Sequence, residues 1–200
     1  MCVAIYKPPG VVISEDILEA CFQYNPHGMG FALPKNGMMK ILKGFFNFNV
    51  FLDHYRRVDA ENAMLIHFRY ASAGAIDKYN CHPWRISDRA CMIHNGTLRH
   101  RYTHNMSDTG HFTRDILIPH QEKIFEPEFQ SRVEKYIGER NKMAILDADG
   151  QCVIYNEQCG EWQEDAWFSN LNFMWGKSCK PLDSIEGLDD YEFFYGNRMR

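Results

Sequence analysis

With 200 residues, the chain is long enough for one domain with a sizeable core, and its 45% hydrophobic and 14% aromatic residues exclude an intrinsically disordered chain. The net charge of −4 offers no broad basic field, so we expect neither nucleic acid nor an anionic membrane surface as a partner. No secretory signal and no apolar run of about 18 residues is present, so the sequence predicts a cytoplasmic protein with reduced cysteines.

The N-terminal part of the chain alternates strand and helix patterns. A hydrophobic run over residues 2–6 stops at Pro8-Pro9-Gly10, which neither a strand nor a helix can cross. Ser14, followed by two acidic residues, predicts a helix start, because a serine oxygen can accept a first-turn N–H and acids stabilise the positive end of the helix dipole. The other elements predicted here are a hairpin through 34–37, a helix around 50–57 and a strand over 63–70.

The remainder of the chain predicts short strands and two further helices. Residues 71–88 carry no regular pattern and are predicted to be loop. Many strands with two pairs of helices indicate an α+β domain. The elements predicted after the loop are a strand over 90–94, a helix capped by Asp108 and running to about Pro119, a helix over 126–138, a hairpin over 143–155, and one or two strands within 162–173.

Cys2 is the first candidate for chemistry. Met1 is normally removed before a residue as small as cysteine, and Cys2 would then carry both a thiol and a free α-amine. The amine, with an ordinary pKa of about 7.7–8.0, can take the thiol proton, so one residue supplies a nucleophile and its base. The strand behind Cys2 would fix its direction. A cysteine placed here by chance is the alternative.

Three other positions offer groups that could bind a charged substrate. Arg69 leaves a hydrophobic strand, and its guanidinium can clamp a carboxylate with two hydrogen bonds, although a structural ion pair would also explain it. Asp108 can accept hydrogen bonds from a substrate ammonium, although a helix cap explains Ser107-Asp108-Thr109 equally well. His82 lies in the predicted loop, where a histidine often has no special role.

Asn95 and Gly96 follow His94 at the end of a short predicted strand. The side-chain amide of Asn95 and the unobstructed backbone N–H of Gly96 could together form an oxyanion hole, although Asn-Gly is also a common hairpin turn. Together with Cys2, a carboxylate clamp and an ammonium acceptor, these donors indicate recognition of an α-amino acid whose side chain carries an acyl group.

The order of these segments resembles that of class II glutamine amidotransferases, whose glutaminase domain belongs to the N-terminal nucleophile hydrolases. The resemblance covers about residues 2–175 and leaves 176–200 as a C-terminal tail. The segments that carry it are Cys2 after Met1, the Gly-rich Asn25-Pro26-His27-Gly28-Met29-Gly30, His67-Phe68-Arg69-Tyr70-Ala71-Ser72-Ala73-Gly74, Asn80-Cys81-His82-Pro83, His94-Asn95-Gly96, Ser107-Asp108-Thr109 and, less specifically, Trp167-Phe168-Ser169-Asn170.

The resemblance implies one domain over 1–200 with a four-layer α-β-β-α sandwich of two antiparallel sheets. It implies that Cys2 attacks the glutamine δ-carbonyl, forming a γ-glutamyl thioester, while Asn95 and Gly96 hold the oxyanion. Glutamate and ammonia are the implied products, and neither a cofactor nor a metal is implied. The implied substrate-binding residues are Arg69 for the carboxylate, Ser72 beside it, Asp108 for the ammonium, and His82 and His94.

Several features leave alternatives open. Ala73 and Gly110 stand where many members of the family carry polar residues, so another γ-glutamyl amide is an alternative substrate. A catalytically inactive binding protein on the same fold is a second alternative. Because the motifs end near residue 175, we expect any acceptor enzyme for the ammonia to lie on another chain, with the aromatic residues of the tail as a candidate contact surface.

A metal site is a further alternative, built from His100, His104 and His111, with Cys91 and His94 nearby in sequence. His100 and His104 stand four residues apart, the spacing that places two side chains on one face of a helix. The stretch between them is typical of a loop, however, and no ligand set has a known zinc spacing. The sequence therefore favours amide hydrolysis over metal binding.

Overall fold

The computed structural model describes residues 2–175, which form an α+β fold with two antiparallel sheets. The strands are β1 (Val3–Lys7), β2 (Met29–Lys35), β3 (Met38–Phe45), β4 (Met64–Phe68), β5 (Trp84–Ser87), β6 (Ala90–Asn95), β7 (Lys142–Asp147), β8 (Cys152–Tyr155), β9 (Glu161–Gln163) and β10 (Ala166–Phe168). One sheet has the strand order β3-β2-β4-β1-β10-β9, and the other has the order β5-β6-β7-β8.

Five α-helices and three shorter helical segments lie between or after the strands within the described residues. The α-helices are α1 (Glu15–Tyr24), α2 (Phe48–Tyr55), α3 (Asp108–Phe112), α4 (Pro127–Ile137) and α5 (Asn172–Trp175). A π-helix over Thr113–Leu117 and a 3-10 helix over Ile118–Lys123 continue from α3, and a second 3-10 helix spans Glu157–Cys159. The predicted start of α1 is confirmed, since Ser14 Oγ accepts the N–H of Ile17 at 3.3 Å.

Strand β1 lies inside the six-stranded sheet and carries the N-terminal residues into the core. It pairs with β4 on one side, with Val3 opposite Phe68, and with β10 on the other, with Ile5 opposite Phe168. Val3, Ala4 and Ile5 are fully buried, which agrees with the apolar run in the sequence. Because neighbouring strands hold β1 on both sides, the residue that precedes it has a defined position.

Two sequence predictions were wrong in detail. Residues 84–87 form strand β5 rather than loop, because pairing with β6 stabilises a run too short to be recognised by its pattern. The cap of α3 is Ser107, whose Oγ accepts the N–H of Gly110 at 3.2 Å, rather than Asp108. The carboxylate of Asp108 is instead bound to the backbone N–H of Leu98, so it is not available to cap the helix.

Three apolar clusters position these elements. One cluster combines Ala4 and Leu65 of the six-stranded sheet with Ile93 and Ala144 of the four-stranded sheet, so the two sheets pack face to face. A second cluster packs α1 and α2 against the six-stranded sheet, and a third packs α4 against the four-stranded sheet. Strands β1, β6 and β7 therefore present alternate residues to the layer between the sheets.

Within residues 2–175, no helix is long and apolar enough to cross a membrane. The tail over 176–200, with the aromatic residues considered above as a contact surface, lies outside the described residues.

Candidate active site

Strand periodicity directs Cys2 and Asn95 into the same space between the two sheets. Ala4 faces the layer between the sheets, and Cys2 stands two residues before it. Cys91 and Ile93 of β6 face that layer from the opposite sheet, and Asn95 stands two residues after Ile93. Because side chains two apart on a strand point to the same face, the predicted nucleophile and the predicted oxyanion donor approach each other from different sheets.

The Cys2 thiol is half-buried and contacts the backbone of Tyr70. The N–H of Tyr70 donates to Cys2 Sγ at 3.3 Å, and the thiol lies 3.4 Å from the carbonyl oxygen of the same residue. Burial raises the pKa of Cys2, and the hydrogen bond from the Tyr70 backbone opposes part of that rise. A thiol whose pKa is raised requires a nearby base before it can act as a nucleophile.

Ser169 and Asn170, directly after β10, connect Cys2 and β1 with Asn95. Ser169 Oγ accepts the backbone N–H of Ala4 at 2.9 Å and lies 2.9 Å from Asn95 Nδ2. Asn170 Nδ2 donates to the carbonyl oxygen of Cys2 at 2.9 Å. Sequence reasoning did not assign these two residues to the site, and the only signal was their place in the least specific segment of the resemblance.

Gly96 lies where a side chain cannot be accommodated. Its backbone has φ +143°, and a Cβ there would overlap Asn141 Oδ1. Asn141 cannot move freely, because its Oδ1 is bound by His94 Nε2 at 3.0 Å and its Nδ2 donates to the carbonyl oxygen of Ile137. The structure therefore requires glycine at position 96 for both conformation and space.

The guanidinium of Arg69 is buried and organises the loop that follows β4. Its Nη1 donates to the carbonyl oxygen of Ala75 at 2.7 Å, and its Nη2 donates to that of Ala73 at 2.9 Å. Arg69 has no ion pair with a carboxylate of residues 2–175, so a structural ion pair within that range does not account for it. Ser72 Oγ lies 3.2 Å from Thr97 Oγ1 and joins this loop to the chain after Gly96.

Asp108 is buried at the first position of α3, close in the fold to the oxyanion candidates. Its Oδ2 accepts the N–H of Leu98 at 2.6 Å, which ties α3 to the chain two residues after Gly96. The structure thus joins the segments of Asp108, Gly96 and Ser72 through hydrogen bonds. Binding of a substrate ammonium by Asp108 and of a substrate carboxylate by Arg69 remain predictions.

Three buried histidines, His67, His82 and His94, lie close to one another near the candidate site. The His67 and His82 rings stack with centroids 4.0 Å apart, and His67 Nε2 lies 2.9 Å from the carbonyl oxygen of His94. The ring of His94 is held by Thr109 Oγ1 at 2.9 Å and by Asn141 Oδ1. Both ring nitrogens of His82 are buried without a hydrogen-bond partner. Substrate contact by His82 or His94 remains a prediction.

Burial lowers the pKa of all three histidines, that of His67 to about 3. Around His82, the neighbouring His67, His94, Arg69 and Lys43 lower the pKa further, because each disfavours a second positive charge. The three rings are therefore neutral near pH 7 in the folded protein.

Lowering the pH from 7 to 5 is expected to reduce the free energy of unfolding by about 2 kcal/mol through His67 alone, with further losses through His82 and His94. The unfolded chain binds their protons near pH 6.5, whereas the folded chain binds them only at lower pH, near 3 for His67. The contribution of these neutral histidines to the free energy of unfolding is complete above pH 6.5 and is lost progressively as the pH falls. Urea denaturation at pH 5, 6 and 7 measures the slope.

His82→Phe is the informative variant for this prediction, because its ring makes no hydrogen bond that phenylalanine would remove. We expect a smaller loss of stability between pH 7 and 5 than in the unaltered chain. His104→Phe is the control, because His104 is exposed and its ring meets solvent before and after unfolding. An unchanged slope in His82→Phe would contradict the assignment.

The alternative metal site is not assembled. Within residues 2–175, no group of three or more His, Cys, Asp or Glu side chains could hold a metal ion. His100 Nδ1 lies 2.8 Å from Tyr136 Oη and its Nε2 lies 3.3 Å from Asp115 Oδ2, while His94 is bound as described above. Cysteines 2, 21, 81, 91, 152 and 159 are all free thiols.

Comparison with solved structures shows a likeness to glutamine phosphoribosylpyrophosphate amidotransferase from B. subtilis, complexed with ADP and GMP. The TM-score is 0.50 at 13% sequence identity, and the match covers 84% of this chain and 41% of that one. At this identity the likeness concerns the fold alone, and this chain spans less than half the length of that protein. No protein-family model and no curated protein sequence matches the chain.

Proposed function

We propose that this chain hydrolyses the side-chain amide of glutamine, or a closely related γ-glutamyl amide, through a thioester on Cys2. The proposal treats it as a class II glutaminase-type domain on a four-layer α-β-β-α sandwich. The fold likeness to a glutamine amidotransferase and the helices packed on the outer side of each sheet support it. The observation that carries it is the hydrogen-bonded link from Cys2 and Ala4 through Ser169 and Asn170 to Asn95.

Removal of Met1 would make the α-amine of Cys2 available as the base. The amine takes the thiol proton, and the thiolate attacks the δ-carbonyl carbon to form the carbon–sulfur bond. The carbonyl oxygen becomes an oxyanion, for which the Asn95 amide and the Gly96 N–H are the assigned donors. The protonated amine then gives its proton to the departing ammonia, leaving a γ-glutamyl thioester that water cleaves to glutamate and the free thiol.

The charged head group of the substrate is assigned to Arg69 and Asp108. A guanidinium has five N–H donors, and the backbone carbonyls of Ala73 and Ala75 use two of those of Arg69. The remaining donors are proposed to bind the α-carboxylate, assisted by Ser72. Asp108 is proposed to accept the α-ammonium, and the buried rings of His82 and His94 support the segments around the substrate.

Intact mass spectrometry after incubation with 6-diazo-5-oxo-norleucine, an electrophile shaped like glutamine, tests the proposal. The expected result is a chain that lacks Met1 and gains one adduct, and no adduct in Cys2→Ala. Excess glutamine should protect against labelling, because it would occupy the same site. A retained Met1, or labelling that does not depend on Cys2, would contradict the proposed chemistry and favour a catalytically inactive protein on the same fold.

A further inference from the structure

The hydroxyl of Ser169 is crowded by donors. Ser169 is fully buried, and its Oγ faces the N–H of Ala4 at 2.9 Å, Asn95 Nδ2 at 2.9 Å and Asn170 Nδ2 at 3.5 Å. A serine hydroxyl has two lone pairs and one hydrogen to donate. Three N–H donors therefore exceed its accepting capacity, and its own hydrogen finds no acceptor among them.

The side chain of Asn95 shows the complementary mismatch. Asn95 is 1% exposed, and its Oδ1 is buried without a hydrogen-bond partner, while its Nδ2 points at Ser169. A buried carbonyl oxygen left unpaired costs about 1–3 kcal/mol. The oxygen and nitrogen of an amide have nearly the same shape, so the hydrogen-bond network determines which one faces Ser169.

Rotating the Asn95 amide by half a turn removes the excess of donors around Ser169 and changes the unpaired Asn95 atom from an acceptor into a donor. Ser169 then donates its hydroxyl hydrogen to Asn95 Oδ1, and its two lone pairs remain for Ala4 and Asn170. The Asn95 oxygen gains a partner, and Nδ2 takes the place of the unpaired atom. The buried group without a partner is now an N–H donor, which is what a developing oxyanion requires.

We propose that Ser169 is a positioning residue that orients the Asn95 amide with its N–H group toward the reacting carbonyl. This inference rests on the proposed amide hydrolysis. Ser169 also binds β1 twice, since its Oγ accepts the N–H of Ala4 and its own N–H donates to the carbonyl oxygen of Ala4 at 2.9 Å. One side chain thereby sets both the orientation of the oxyanion donor and its distance from the strand that carries Cys2.

A double-mutant cycle on Ser169→Ala and Asn95→Ala tests the inference with glutamine as substrate. Because removal of one oxyanion donor costs about 10²–10³-fold in kcat, we expect Asn95→Ala to lose that much and Ser169→Ala to lose about 10–100-fold, with KM changed less than about 3-fold. The double variant should be no slower than Asn95→Ala, since Ser169 acts through Asn95. Ser87→Ala, at the half-buried end of β5 and outside the site, is the control with unchanged activity.

Alkylation of Cys2 by iodoacetamide provides the second readout, because this reaction needs the thiolate but no oxyanion hole. The alkylation rate in Ser169→Ala should equal that of the unaltered chain. Ser169→Cys keeps a weak hydrogen-bond donor and nearly the same volume, so its kcat should fall less than that of Ser169→Ala. If Ser169→Ala does not fold, Ser169→Cys replaces it in the double-mutant cycle.

The possible contrary results distinguish failure of the Ser169 inference from failure of the proposed function. Additive losses in the double variant, or slower alkylation of Ser169→Ala, would show that Ser169 acts on the nucleophile strand and would overturn the inference alone. Full activity in both Ser169→Ala and Ser169→Cys would also overturn the inference without affecting the proposed function. An unaltered chain that neither hydrolyses glutamine nor forms the Cys2 adduct would overturn the proposed function, and this inference with it.

Discussion

Cys2→Ala should lower the rate of glutamine hydrolysis by about 10⁴-fold or more, because removal of a catalytic nucleophile abolishes the covalent route entirely. Inserting a leucine between Met1 and Cys2 should lower the rate to a similar extent while leaving the thiol in place. The inserted residue converts the Cys2 amine into a peptide amide, which has no basicity near neutral pH. Release of glutamate and ammonia from the two variants and the unaltered chain measures both effects.

The two variants separate the thiol from its base. Iodoacetamide should still alkylate Cys2 in the leucine-insertion variant, although more slowly at pH 7, since burial raises the pKa of the thiol and the amine no longer assists. Equal turnover in the insertion variant and the unaltered chain would show that another group is the base. Undiminished turnover in Cys2→Ala would exclude the thioester mechanism.

Gly96→Ala should lose both stability and activity. Its backbone has φ +143°, which side chains rarely adopt, and the added Cβ would overlap Asn141 Oδ1 and approach Asn141 Cα within 3.0 Å. Relief of this overlap must displace Asn141, which holds the ring of His94, or the backbone N–H at position 96. We expect the free energy of unfolding to fall by about 2–4 kcal/mol and kcat to fall by at least about 10²-fold.

Gly150→Ala is the matched control for this prediction. Gly150 also has a positive φ, +85°, but a Cβ there would meet no atom within 4 Å. Its backbone strain should cost about 1 kcal/mol, with kcat unchanged, because the turn between β7 and β8 is not part of the site. Urea denaturation and glutamine turnover of both variants make the comparison. Equal activities in Gly96→Ala and Gly150→Ala would remove Gly96 from the oxyanion site.

Local sequence was sufficient where a short stretch dictates its own structure. The apolar run after Cys2 predicted β1, and Ser14 with two acids predicted the start of α1, because strand burial and helix capping depend on residues a few positions apart. Local sequence was insufficient at Trp84–Ser87. That strand has four residues, and pairing with β6 determines it.

Some features of the candidate site could also be predicted from the sequence, and others could not. Cys2, Asn95 and Gly96 could be proposed from the sequence, because each residue type has a recognisable chemistry and the segments follow the order of a known family. The partners of Arg69 could not be predicted, since a guanidinium binds carboxylates and backbone carbonyls alike. The stacking of His67 on His82 could not be predicted from the sequence either, because a strand and a distant loop bring the two rings together.

The sequence by itself determined which groups could do chemistry and which strand would carry the nucleophile. Only the tertiary structure decided how those groups are joined. Ser169 lies 165 residues from Ala4 and 74 from Asn95, and it reaches both because β10 pairs with β1 while the opposite sheet packs above them. Sheet pairing and sheet packing are collective properties of the whole core, so no local pattern around Ser169 could reveal its hydrogen bonds.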